Sequence, residues 1–183
     1  MVNISKLKLT NLQQEILRLL FIKAGEPINA HQISKIIGVS QPAVSKALPE
    51  LKDKEFIKVT KDKESKRLSI ELNRDHRVIW LKRTDNLRQL YESGLIQFFY
   101  DTFYSATIIL FGSYSTGEDT IRSDIDIAII GGKDKQINLE RFEKELGRVV
   151  NLNFYSSFKG LEKHFLDNLL NGIVIKGSVE LWI

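Results

Sequence analysis

At 183 residues, 43% hydrophobic and 27% charged, the chain has room for one large or two small globular domains. It contains no cysteine, which excludes disulfides, thiolate catalysis and cysteine-ligated metal, and its three histidines (His31, His76 and His164) are too scattered for a metal-ligand pattern. Charge is uneven: residues 1–80 carry 15 Lys and Arg against 9 Asp and Glu, net +6, whereas residues 81–183 carry 12 against 14, net −2. A basic first segment beside a mildly acidic second one points to a nucleic-acid-binding module attached to something else. No apolar run approaches membrane-spanning length and no signal-peptide pattern opens the chain, so the expected location is the cytoplasm.

Thr10 or Asn11 caps a predicted helix over residues 12–24, with Thr10 and Gln13 at capping-box spacing. Gly25-Glu26-Pro27 stops it. Asn29 caps a short helix over 30–37, and Gly38-Val39 makes a tight turn. Ser40 caps a third helix over 41–54, with Pro42 tolerated in its first turn. Ala43, Val44, Ala47, Leu48 and Leu51 form its inward face. Gln41, Pro42, Ser45 and Lys46 face outward, where a recognition helix meets base edges and phosphates. Pro49 removes a backbone donor inside this helix, which predicts a kink or an early end. A strand over 56–60, a charged turn KDKESKR over 61–67 and a returning strand over 68–72 complete a hairpin.

Two short helices joined through Gly38, followed by a hairpin, resemble the winged helix-turn-helix domains of MarR-like regulators. The resemblance covers most of residues 10–72. It implies DNA as partner, read by Gln41, Ser45 and Lys46 and gripped by the wing cations Lys63, Lys66 and Arg67. A protein partner and a homodimer are further expectations, and no membrane association is expected.

Asp75 caps a predicted helix over 76–83 and Thr84 another through Tyr91, with Gly94 a break before the aromatic stretch 98–104. The run Ile108 to Phe111 reads as a buried strand ending at Gly112-Ser113. A polar turn leads to a second strand, Asp124 to Ile130. Asp124 and Asp126 stand two apart and leave one face, while Ile125, Ile127 and Ile129 leave the other into a core. Side-by-side carboxylates at the start of a buried strand repel each other, and a divalent metal removes the conflict. Glycine at the turn lets backbone approach a ligand, and the Ser113 hydroxyl and nearby N–H groups suit phosphate. A helix over 139–146 capped by Asn138, a strand over 149–155, a helix from Ser156 or Ser157 to Leu170 and a strand over 173–175 follow. Strands interleaved with helices argue an α/β domain.

Gly-Ser, ten residues, then Asp-Ile-Asp, with Gly117-Glu118 between, is similar to the signature of the DNA polymerase β nucleotidyltransferase superfamily, its minimal members above all. The resemblance implies an α/β (α+β) polymerase β-like nucleotidyltransferase domain preceded by a small winged-helix DNA-binding domain. The boundaries are 1–74 for the winged helix, 75–104 for a helical connector and 105–183 for the nucleotidyltransferase domain. It further implies a nucleoside triphosphate, ATP first, held at Gly112, Ser113 and Ser123, and Mg²⁺ held by Asp124 and Asp126. The superfamily's third acidic residue falls at Asn151, with Asn153 as the alternative. Asn151 can ligate weakly but cannot accept a proton, which puts catalysis in doubt. Tyr114 stands where relatives often have arginine, and Arg122 is a candidate replacement. The rival to a nucleotidyl-transferring enzyme is a transcriptional regulator whose second domain is catalytically impaired and senses nucleotide or contacts a partner, as an antitoxin does.

Overall fold

The computed structural model describes residues 8–61 and 68–180. The chain divides into two compact units, 1–78 and 79–183.

In the first unit, α1 (Asn11–Ile22) starts at a complete capping box between Thr10 and Gln13. Helix α2 (Ala30–Ile37) starts at a second one, between Asn29 and Gln32, and ends at left-handed Gly38. Helix α3 (Gln41–Asp53) is capped by Ser40, whose hydroxyl accepts the Ala43 N–H. The helix runs through Pro49 to Asp53, so the early end expected there does not occur. Pro49 and Ser45 are both exposed, so water can serve the Ser45 carbonyl that proline deprives of a donor. Val44, Ala47, Leu48 and Leu51 stay buried on the other face. Strands β1 (Ile57–Lys61) and β2 (Leu68–Leu72) pair antiparallel, and Ile28 joins Ile70 through two backbone hydrogen bonds. The core gathers Ile16, Leu20, Ile33, Val44, Leu51 and Ile70.

Helix α4 (His76–Glu92) is one helix of 17 residues, where the sequence predicts two. Thr84 does not cap a second helix: its hydroxyl donates back to the Trp80 carbonyl within the same helix. Asp75 does cap, accepting the Arg77 and Val78 N–H groups. The Arg77 guanidinium beside it, with these N–H groups, holds the Asp75 carboxyl below the usual range.

Beyond left-handed Gly94, α5 (Leu95–Thr102) leads into β3 (Thr107–Phe111), α6 (Gly112–Thr116) and β4 (Ile125–Ile130). Helix α7 (Glu140–Leu146), β5 (Val150–Tyr155), α8 (Lys163–Leu170) and β6 (Ile173–Lys176) follow. Helix α8 begins well after Ser156 and Ser157. Ser157 instead accepts the Lys159 N–H in a turn that contains left-handed Gly160. The sheet order is β5-β4-β3-β6, with β4–β5 parallel and the other pairs antiparallel. Ile125, Ile127 and Ile129 bury on the face covered by α5 and α7, against Leu95, Phe99 and Phe142. Ala128 and Ile130 bury on the other face with Leu169. Both faces of β4 are covered, so its sequence is nearly continuous apolar. Within the strand Asp126 alone is partly exposed, and Asp124 just before it is exposed.

Candidate functional site

Strand pairing brings the Gly-Ser turn onto the carboxylates. Phe111 stands opposite Asp126 in the β3–β4 ladder, so the next residue, Gly112, lies against the Asp126 side chain. Gly112 has φ +71°, and a Cβ placed on it would come 2.8 Å from Asp126 Oδ2. Glycine is required here twice, for the left-handed backbone and for the space. The short α6 then turns the chain, and Gly117 closes it in the left-handed region. The Ser113 carbonyl accepts from the Glu118 and Asp119 N–H groups and from the Thr116 hydroxyl.

Asp124 is exposed at the mouth of β4 and Asp126 is half-buried. In the parallel β4–β5 ladder Asn151 stands opposite Asp126, whereas Asn153 stands opposite Ala128, one step deeper. The Asn151 amide nitrogen donates to Asp124 Oδ2 at 3.1 Å and to Asp126 Oδ1 at 3.3 Å. An amide NH₂ carries two protons, one for each carboxylate, so Asn151 bridges the pair; being neutral, it leaves both negative charges in place. Among the described residues no three His, Asp or Glu side chains gather as a metal cluster. The donor set still suits a hard divalent cation in part. Two carboxylates and an amide converge on one point, and a half-turn of the Asn151 amide would present oxygen instead of nitrogen.

The hydroxyl of Ser123 accepts the Thr120 N–H and so closes the turn ahead of Asp124. Tyr114 does not face the turn's open side. Its ring is buried in the core below α6, its hydroxyl donates to the Asn86 carbonyl, and the Arg148 guanidinium lies 5.6 Å over the ring. Arg122 is exposed in the loop.

Sequence reasoning missed a buried polar cluster next to this site. Asp119 is buried and accepts from Lys82, from Asn86 Nδ2 at 2.7 Å and from Arg148 Nη2 at 2.8 Å. The sequence reading singled out neither Lys82 nor Arg148. The one usable signal is Lys82 flanked at helical spacing by Val78, Asn86 and Leu90, all buried.

On α3, Gln41, Ser45 and Lys46 are exposed, as an outward face requires. The wing residues Lys63, Lys66 and Arg67 lie outside the described residues.

Comparison with known proteins agrees with both halves. Residues 9–69 match the MarR family, and residues 93–175 match the nucleotidyltransferase domain. The chain therefore joins a MarR winged-helix domain to a nucleotidyltransferase domain. Among solved structures, a zinc-responsive MarR family member, ZitR of Lactococcus lactis, is 24% identical with a TM-score of 0.42. That match covers 56% of this chain and 69% of that one. The adhesin competence repressor AdcR of Streptococcus pyogenes is 23% identical with a TM-score of 0.43, over 56% of this chain and 72% of that one. Against a ZitR variant the match spans 65% of that chain's length. No curated protein matches.

Proposed function

We propose that the chain is a DNA-binding regulator whose nucleotidyltransferase domain binds a nucleoside triphosphate with Mg²⁺ and transfers the nucleotidyl group slowly or not at all. The observation that carries this reading is the Asn151 amide bridging Asp124 and Asp126 at 3.1 and 3.3 Å.

Asp124 and Asp126 would hold Mg²⁺, with the Asn151 oxygen as a neutral third donor, and the ion would neutralise triphosphate charge. Gly112 lets the main chain approach a β- or γ-phosphate, and the Ser113 hydroxyl offers it a donor. Asp126, tied to Gly112 by the ladder, keeps carboxylate and turn in fixed register. What the site lacks is a base. At the third position Asn151 cannot take the proton of an attacking hydroxyl. General-base assistance is worth about 100- to 10,000-fold, so its loss turns an enzyme into a slow one or a sensor.

The winged helix supplies the output. The exposed Gln41, Ser45 and Lys46 and the +6 charge of residues 1–80 support DNA as its partner. A homodimer reading two half-sites suits a MarR-type domain.

The test is calorimetric titration with ATP and Mg²⁺, paired with incubation in labelled nucleotide. The native protein should bind without turnover, and Asp124→Asn with Asp126→Asn should abolish the Mg²⁺-dependent part. Intact Mg²⁺-dependent binding in that double variant would remove the assignment. Rapid transfer by the native protein would remove the claim of impaired catalysis.

A further inference from the structure

The segment from Gly117 to Asp124 connects the Gly-Ser turn to the carboxylate strand. Loops of this kind usually run over the surface with their carbonyls in water. Here side chains from two other elements hold them. Lys82 on α4 donates to the Asp119 carbonyl at 2.9 Å and to the Gly117 carbonyl at 3.4 Å. Arg148, just before β5, donates to the Ser123 carbonyl at 2.9 Å and to the Thr120 carbonyl. Asn86 on α4 donates to the Tyr114 carbonyl at 2.9 Å. All three also meet on the Asp119 carboxylate, which is 1% exposed.

Stability alone does not call for such a cluster. Buried ion pairs are often no better than apolar residues of the same size, because desolvation offsets the attraction. The placement of its hydrogen bonds is what stands out. They fall on α6 at one end of the loop and on Ser123, next to Asp124, at the other. Arg148 lies three residues before Asn151 on the run into β5. The cluster thus touches each of the three segments that build the candidate site. Gly117 closes the same corner: a Cβ there would come 2.5 Å from the Ile79 carbonyl of α4.

We infer that Lys82, Asn86, Asp119 and Arg148 form a buried positioning clamp that sets the Gly112–Ser113 turn against Asp124 and Asn151. These are positioning residues: the hydrogen bonds described above go to carbonyls of α6 and the loop and to Asp119, and they act on the site through the backbone. The inference rests on the proposed nucleotide reading for its ligand, but its geometry can be read without one.

The experiment follows two sets of NMR signals in the full chain: the side-chain amide of Asn151 and the backbone amides of Gly112 and Ser113. Arg148→Lys keeps the charge but loses the guanidinium fork. Asn86→Ala keeps all the charges and removes the hydrogen bond to α6. Arg148→Lys should move the Asn151 side-chain signals toward those of solvent-exposed asparagine. Asn86→Ala should move the Gly112 and Ser113 signals. Each variant should weaken Mg²⁺–ATP binding about 10- to 100-fold, the usual cost of losing an outer positioning partner. Ile33→Val, a core change in the first unit, should lower stability and leave these signals in place. If Arg148→Lys does not fold, Asn86→Ala decides. Folded variants with native Asn151, Gly112 and Ser113 signals would overturn the clamp. If the native protein binds no ATP, the nucleotide reading falls and the amide signals alone decide the clamp.

Discussion

Gly112 and Asn151 are the two residues on which the site turns, and they constrain it in different ways. Gly112 is fixed by space and by backbone, since its missing Cβ would press on the Asp126 carboxylate at 2.8 Å and its φ is +71°. Gly112→Ala should therefore cost on the order of 1–2 kcal/mol from the left-handed backbone. It should also displace Asp126 and weaken Mg²⁺–ATP binding, which denaturant unfolding and calorimetry would read separately. Unchanged stability would mean that the turn relaxes and that the close approach is not required. The sequence announced this residue clearly, because a glycine before serine at the end of a buried strand has few other uses. Asn151 was legible as one of two positions, beside Asn153, through the superfamily resemblance. Its bond to both carboxylates was not, because strand register is a long-range property that one strand's sequence does not carry.

At the scale of elements, local signals predicted best where they were strongest. One capping box, the Asn29 cap and Gly38 marked α1 and α2 within a residue or two. Thr84 misled because a hydroxyl inside a helix can bond its own i−4 carbonyl as readily as it can cap. The early end expected at Pro49 does not occur, because one missing backbone bond on an exposed face is outweighed by the buried face opposite. Replacing it tests that account: Pro49→Ala should raise stability by on the order of 1–3 kcal/mol in denaturant unfolding. No gain would mean that the helix is bent to accommodate proline. The start of α4 makes a pH prediction. The Asp75 carboxyl is held low by Arg77 and by its N–H partners, so its contribution is present above the ordinary Asp value and is lost as pH falls through the folded one. Native protein and Asp75→Asn should differ in stability near neutrality, and the gap should begin to close only below the ordinary Asp value, about pH 4. A gap that closes well above that pH, or that does not narrow in strong acid, would contradict the assignment. The clamp around Asp119 escaped the sequence reading altogether, since Lys82, Asn86, Asp119 and Arg148 come from three stretches that only the tertiary fold brings together.

For the whole molecule, a MarR winged helix and a nucleotidyltransferase domain share one chain, and each half carries its own test. Changing Lys63, Lys66 and Arg67 together to Ala should flatten the salt dependence of DNA binding by about 0.9 for each phosphate no longer neutralised. An unchanged slope would take the wing out of the interface. The central proposal lies in the other half: the Asn151 amide bridges Asp124 and Asp126, and we propose that the missing carboxylate slows the chemistry. Thermal unfolding of native protein and Asn151→Asp, each with EDTA and with Mg²⁺, tests it most directly. The substitution is nearly isosteric, removes the bridging donor and adds a third negative charge. In EDTA it should lower the melting temperature of the nucleotidyltransferase domain, by about 4–8 °C for each kcal/mol of stability removed. Mg²⁺ should raise the melting temperature of Asn151→Asp well beyond the small shift of the native protein, since binding to the folded state stabilises it by mass action. Identical curves for the two proteins, with and without Mg²⁺, would contradict the claim.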